Sequence, residues 1–207
     1  MNADCLRLYL ATDSELTAER DLCDLVARAI TAGVTCVQLR DKVASGQQLY
    51  LSACRLHAVT QRLGVPLIIN DRVDIMLAAG AEGVHVGATD LPLARVRALA
   101  AGRLVGYSVT AAADVEVARR DGADYVGIGP VFPTSTKPDA SPALGLAGLR
   151  DLAAAAGLPC VAIGGITPAN CAAVLTAGAN GVCAISAILG HDDIGAAVQR
   201  FRAALDA

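Results

Sequence analysis

The chain has 207 residues, with 17 Lys and Arg against 20 Asp and Glu, a formal net charge of −3, and is 54% hydrophobic but only 18% charged. This describes one compact domain or two very small ones, in a chain long enough to bury roughly 70% of its unfolded surface without disulfides or a structural metal. The slight negative balance, with no cluster of Lys and Arg, excludes nucleic acid and polyanions as expected partners. No apolar run reaches the roughly 20 residues of a membrane-spanning helix, so no membrane partner is expected.

The opening Met1-Asn2-Ala3-Asp4-Cys5 has neither the cationic nor the apolar region of a signal peptide, which predicts a cytoplasmic protein. Seven cysteines, an odd number without a CxxC pair, are expected to be reduced and mostly buried.

In chain order, short β-branched runs alternate with Ala/Leu/Arg segments of helical period. The runs predict strands at Leu6–Ala11, Thr35–Leu39, Leu67–Asn70, Gly83–Val86, Leu104–Ser108, Tyr125–Ile128, Cys160–Ile163 and Gly181–Ile185. Between them helices are predicted near 17–32, 46–63, 72–79, 91–101, 111–120, 146–156, 168–177 and 191–205. Pro66-Leu67-Ile68-Ile69 is apolar throughout, as suits a parallel strand covered on both faces. An internal echo, Ala32-Gly33-Val34-Thr35, Ala79-Gly80-Ala81-Glu82, Asp121-Gly122-Ala123-Asp124 and Ala177-Gly178-Ala179-Asn180, marks helix stops followed by strand starts. Eight βα units of about 26 residues predict a single-domain α/β fold over residues 1–207, a small TIM (β/α)8 barrel. An open doubly wound sheet is the alternative.

Ligands of such barrels bind where strands end, and the polar residues of this chain concentrate there. Gln38, Arg40, Asp41 and Lys42 follow the second strand, and Asn70 and Asp71 the third. His85 ends the fourth, with Asp90 beyond it, and Ser108 ends the fifth. Arg40 and Lys42 suit phosphate oxygens, or equally a loop ion pair with Asp41. Asp71 and Asp90 suit Mg²⁺, or the caps of the helices that follow them. Thr134-Ser135-Thr136-Lys137 offers three hydroxyls and an ammonium as an anion cradle or lid. Gly164-Gly165 permits close backbone approach by a phosphate, with Thr167-Pro168 read as the cap of the next helix. His85 reads as a hydrogen-bonded core residue in preference to a general base, and His57 and His191 as ordinary helix positions.

Taken in order, five segments make the chain resemble the thiamine phosphate synthase family: Val37-Gln38-Leu39-Arg40-Asp41-Lys42, Ile69-Asn70-Asp71-Arg72-Val73-Asp74, Gly83-Val84-His85-Val86-Gly87, Gly127 to Pro138, and Ala162 to Thr167. The resemblance runs from Leu8 to Ile188. It implies a TIM barrel that joins a pyrimidine diphosphate to a thiazole phosphate, releasing pyrophosphate, with Mg²⁺ as cofactor. By motif, the stretch Gln38, Leu39, Arg40, Asp41 and Lys42, together with Asn70, Ser108 and Lys137, would bind the pyrimidine diphosphate. Arg40, Lys42, Ser108 and Lys137 would serve the chemistry, and Asp71 and Asp90 would hold the metal. Thr134, Ser135, Thr136, Gly165, Ile185 and Ser186 would hold the thiazole phosphate.

Ser135 stands where the family often has Thr, Asp41 replaces a common Glu, and Gly87-Ala88-Thr89 lacks the Gln and acidic residue often found before the metal Asp. Rival readings are a thiazole tautomerase-like branch of the same superfamily, a sugar-phosphate epimerase, and a non-catalytic phosphate-binding barrel. The expected partners are small phosphorylated molecules. Monomer and homodimer both remain open.

Overall fold

The computed structural model describes residues 3–134 and 141–206. Among these, eight parallel strands close into a barrel in chain order, the last bonded back to the first. They are β1 (Leu8–Ala11), β2 (Cys36–Leu39), β3 (Leu67–Asn70), β4 (Gly83–Val86), β5 (Leu104–Val109), β6 (Tyr125–Ile128), β7 (Cys160–Ile163) and β8 (Gly181–Ala184). The closed ring rules out the open doubly wound sheet.

Around the ring lie α1 (Ser14–Thr17), α2 (Leu22–Ala32), α3 (Gly46–Arg62), α4 (Val73–Ala79), α5 (Leu93–Leu99), α6 (Ala112–Asp121), α7 (Gly145–Ala156), α8 (Cys171–Thr176), α9 (Ser186–Leu189) and α10 (Ile194–Leu205). No helix among the described residues is long and apolar enough to cross a membrane.

Strand parity divides the core in two, because successive side chains point to opposite faces. Outward residues such as Leu10, Val37, Ile69 and Val126 pack with the helices. Inward residues Tyr9, Ala11, Cys36, Ile68, Tyr125, Val161 and Cys183 form a separate cluster inside the barrel. Leu6 belongs to that inner cluster, although it lies in a 3₁₀ turn (Ala3–Leu6) and not in the predicted strand. Gly181 admits this turn, since a Cβ there would meet the Leu6 carbonyl oxygen at 1.8 Å.

The echo noted in the sequence precedes every second strand: β2, β4, β6 and β8. Its glycines, Gly33, Gly80, Gly122 and Gly178, all have positive φ, as helix stops require. The fourth residue of each echo has a second task. Thr35, Glu82, Asp124 and Asn180 accept the N–H of Leu8, Leu67, Val105 and Cys160, at 2.7–2.9 Å. Each is thus a side-chain cap at the amino end of the preceding strand, on its first residue in β1, β3 and β7 and its second in β5, where the barrel's amino end would otherwise leave a donor unpaired. Glu82 also bonds His57 Nε2 at 3.0 Å, so His57 tethers α3 to the sheet.

Local capping explains where helix boundaries depart from the expected ones. The predicted helix over 17–32 is interrupted after Thr17 and restarts at Leu22, because the Asp21 carboxylate accepts the Asp24 N–H at 3.0 Å. Likewise α10 starts at Ile194 under an Asp193 cap, and His191 precedes it.

Inside the barrel, small residues sit beside large ones. A Cβ on Gly106 would lie 2.3 Å from both His85 Nδ1 and Tyr125 Cζ, and one on Gly127 would lie 3.0 Å from His85 Cε1. Gly106→Ala is therefore expected to lower folding stability by about 2–3 kcal/mol, the upper part of the usual range for overpacking a filled core. Urea unfolding tests this, and an unchanged midpoint would show the interior to be looser than described.

Candidate active site

Most of the expected site residues stand at the carboxyl ends of the strands or in the loops that follow them, around one cavity of about 530 Å³. That is within the range of small-molecule sites. Gln38, Arg40, Lys42, Asn70, Asp71, Asp90, Ser108, Thr134, Gly165, Ile185 and Ser186 all line it. Leu39 and Asp41 do not. Leu39 points outward into the helical layer, and the Asp41 carboxylate accepts the N–H groups of Val43 and Ala44, each at 3.0 Å. Ser135, Thr136 and Lys137 lie outside the described residues.

The end of β1 holds the cationic end of the site in place. Buried Thr12 accepts the Arg40 N–H at 2.9 Å and donates to the Arg40 carbonyl at 3.2 Å. The Arg40 guanidinium pairs with Asp13 at 3.4 Å, and not with Asp41 as the loop reading had it. Asp13 in turn caps α1 by accepting the N–H groups of Glu15 and Leu16. Arg40 is thus oriented by a residue that is itself fixed, at the pocket wall.

The capping alternative for the two carboxylates fails. Neither Arg72, the cap residue of α4, nor Pro92, that of α5, is joined by a side-chain cap bond. Asp71 instead adopts φ +61°, the left-handed region that costs an L-residue about 1 kcal/mol or more. Its N–H donates to the His85 carbonyl at 2.8 Å, and its carboxylate takes the Lys42 ammonium at 2.7 Å. Asp90 accepts the Gly87 N–H at 2.8 Å. Burial raises the Asp90 carboxyl above its ordinary range and the nearby Asp71 carboxylate adds to the rise, against the Gly87 amide and Lys42. Two close carboxylates with one ammonium between them leave negative charge that a divalent cation relieves. No cluster of three or more His, Cys, Asp or Glu is gathered among the described residues. Two carboxylates are a donor set that would suit Mg²⁺, which takes one or two carboxylates and fills its sphere with water and substrate oxygens.

Opposite, Gly164 and Gly165 follow β7 with φ +98° and +61°. A Cβ on Gly165 would come within 2.6 Å of the Pro133 carbonyl oxygen, and one on Gly164 within 2.5 Å of Pro130 Cβ. The loop after β6 is stitched to this turn by Val131 N–H to the Ile163 carbonyl at 2.9 Å and Phe132 N–H to the Gly164 carbonyl at 3.0 Å. Asn170 closes the turn from beyond, accepting the Thr167 N–H and donating to the Gly165 carbonyl. Thr167 is not the helix cap expected of it: α8 begins only at Cys171, with Asn170 as its cap residue and no side-chain cap bond.

A chain of hydrogen bonds crosses the barrel beneath the pocket. Gln38 Nε2 meets the Tyr9 hydroxyl at 2.9 Å, Tyr9 meets Tyr125 at 3.0 Å, Tyr125 meets His85 Nδ1 at 3.1 Å, and His85 Nε2 meets Ser108 Oγ at 3.0 Å. Burial pushes both tyrosines well above their ordinary range. Sequence reading missed Tyr9 and Tyr125, which pass as strand hydrophobics. Their inward parity, shared with Gln38 and His85, is set by the register of the closed ring and is not visible within either strand. Cys183 also lines the pocket, but burial pushes its thiol up to about 12, which leaves no thiolate for nucleophilic chemistry.

Burial pulls the His85 imidazole down from 6.5 to about 4. The unfolded chain takes up a proton near pH 6.5 that the folded chain refuses, so this contribution to stability is complete above pH 6.5 and is lost as pH falls toward 4. About 3 kcal/mol should disappear between neutral pH and about pH 4. Urea titrations at both pH values check this, and His85→Gln should flatten that part of the profile.

Fold and site together define a single (β/α)8 barrel with one polar cavity, cationic and acidic on one side and glycine-lined on the other. Residues 8–188 match the family described as thiamine monophosphate synthase. A thiamine-phosphate synthase of Chloroflexus aurantiacus is 47% identical over 197 residues, 95% of this chain and 91% of the relative. One from Desulfitobacterium hafniense is 46% identical over 93% of each chain. The solved thiamine phosphate pyrophosphorylase of Pyrococcus furiosus superposes with a TM-score of 0.90 at 33% identity, covering 99% and 97% of the two chains. The chain belongs to the thiamine monophosphate synthase family.

Proposed function

We propose that this chain joins 4-amino-2-methyl-5-diphosphomethylpyrimidine to 4-methyl-5-(2-phosphoethyl)thiazole, or its carboxylated form, giving thiamine phosphate and pyrophosphate. The observation that carries the reading is the division of one cavity into two unlike ends. Arg40, Lys42, Asp71, Asp90 and Ser108 stand on one side, and Gly164, Gly165, Ile185 and Ser186 on the other. The first suits a diphosphate with its cation, and the second a phosphate monoester held by backbone.

In the reaction the C–O bond to pyrophosphate breaks, with its electron pair leaving on oxygen, and the thiazole nitrogen lone pair forms the new C–N bond. The pyrimidine amino group stabilises positive charge on the exocyclic carbon, so the path is dissociative and needs no protein nucleophile. Arg40, Lys42 and Ser108 stabilise the departing oxygens, with Lys137 assigned to the same task by its motif. Asp71 and Asp90 would hold Mg²⁺, whose charge assists that departure. Gly165, Ile185 and Ser186, with Thr134, Ser135 and Thr136, hold the thiazole phosphate so that its nitrogen faces the carbon, an alignment worth several kcal/mol. The seven cysteines, none of them paired, suit the reducing cytoplasm to which we assign the reaction.

The test is an assay of purified protein with both substrates and Mg²⁺, following thiamine phosphate as its fluorescent thiochrome derivative. Product that vanishes with EDTA is expected. Folded protein that binds thiazole phosphate without turnover would shift the reading to the tautomerase-like branch or a silent barrel. Positional isotope exchange in unreacted diphosphate is expected during turnover, and its absence would remove the dissociative path.

A further inference from the structure

The five-residue chain beneath the pocket has a direction, and that direction decides what the pocket offers its ligand. Each tyrosine and serine hydroxyl has one proton to give, and a neutral imidazole has one N–H and one acceptor nitrogen. When every hydroxyl proton is used along the chain, fixing one donor fixes all the others. With Gln38 Nε2 donating to Tyr9, the Tyr9 proton passes to the Tyr125 oxygen and the Tyr125 proton to His85 Nδ1. His85 Nε2–H then donates to Ser108 Oγ, and the Ser108 proton is left for the pocket. Turning the Gln38 amide over would reverse every link, put the imidazole proton on Nδ1, and present Ser108 lone pairs instead.

One observation selects the first direction. The Ser108 end opens, next to Asp90 and Gly87, into the cavity that Lys42 and Arg40 also line, and an anionic oxygen drawn there by the two cations needs a donor. The chain is also enclosed. Tyr9 and Tyr125 are at most 1% exposed and Gln38 and His85 at most 9%. Among the described residues no buried side-chain nitrogen or oxygen lacks a partner. Gly106 and Gly127 provide the space, since a side chain on Gly106 would displace both His85 and Tyr125.

We propose that Tyr9, Tyr125 and His85 are positioning residues that form one directional hydrogen-bond chain, holding the Gln38 amide carbonyl toward the pocket as an acceptor and the Ser108 hydroxyl as a donor. The matching ligand carries an N–H donor at one end and an anionic oxygen at the other. The kinetic arm below rests on the reading of that ligand as an aminopyrimidine diphosphate, whereas the spectroscopic arm needs no substrate.

The chain has only three histidines, so protein labelled with ¹⁵N-histidine yields three ring systems, and His85→Gln identifies the one of interest. A long-range ¹H–¹⁵N spectrum of the ligand-free protein at neutral pH should show His85 protonated at Nε2 and bare at Nδ1. An Nδ1–H ring, or a doubly protonated one, would overturn the proposal. Tyr125→Phe removes the donor to Nδ1, so the ring should become a mixture of tautomers and kcat should fall about five- to ten-fold, the loss of one neutral hydrogen bond. Tyr9→Phe leaves Tyr125 in place, so the tautomer should persist while KM for the pyrimidine diphosphate rises about five-fold and KM for the thiazole phosphate stays constant. A tautomer unmoved in Tyr125→Phe would show that the two residues only fill space. Should that variant fail to fold, the wild-type spectrum and Tyr9→Phe still decide the matter. Loss of turnover in the parent protein with the Nε2–H ring present would count against the assigned reaction and leave the chain standing.

Discussion

Asp71→Asn should lower kcat roughly 100- to 1,000-fold, because it loosens the Mg²⁺ whose charge would stabilise the departing pyrophosphate, a contribution of several kcal/mol. The variant is chosen for its backbone as well as its charge. Asp71 has φ +61°, a conformation that asparagine tolerates and alanine resists, so the amide removes charge with little added strain. The Mg²⁺ concentration for half-maximal rate should rise, while binding of thiazole phosphate alone, followed by calorimetry, should be unchanged. Asp90→Asn should act in the same way, because its side-chain oxygen can still accept the Gly87 N–H. If the two carboxylates hold one ion, the double variant should cost little more than either single one. Fully multiplicative losses, or an unaltered Mg²⁺ dependence, would contradict the shared metal site.

Gly165→Ala should destabilise the fold by about 3 kcal/mol, summing a left-handed penalty and an overpacking cost. For a domain of this size that lowers Tm by roughly 6–12 °C. The clash falls on the Pro133 carbonyl and Phe132, in the loop that carries Thr134, so KM for the thiazole phosphate should rise at least about ten-fold. KM for the pyrimidine diphosphate should barely change. Gly157→Ala is the matched control: its φ of +59° is nearly the same, yet nothing lies within 4 Å of the added carbon. It should cost about 1 kcal/mol and leave both KM values alone. Equal behaviour of the two variants would mean that the loop yields freely to the Gly165 turn.

Much of this molecule was legible in the linear sequence because the signals are local. A βα rhythm read from apolar period and glycine stops places all eight strands within two residues of their ends. The strand-end rule then picks out Gln38, Arg40, Lys42, Asn70, Asp71, Asp90 and Ser108, which do meet around one cavity. The less legible parts depend on competition between local and distant partners. Asp21 wins a cap and breaks a helix whose period runs on through it. Asp71 and Asp90 look like caps in sequence and are not caps in the structure, because the β3 and β4 turns direct their oxygens to Lys42 and to Gly87.

The sequence by itself determined the number of βα units, the family, and which polar residues stand at strand ends, since these follow from period, turn chemistry and motif order. Only the tertiary structure decided which parity of each strand faces inward, and with it the union of Tyr9, Gln38, His85, Tyr125 and Ser108 in one chain. Inward and outward are properties of the closed ring. A four-residue strand that is apolar throughout carries no sign of which of its faces the barrel will enclose.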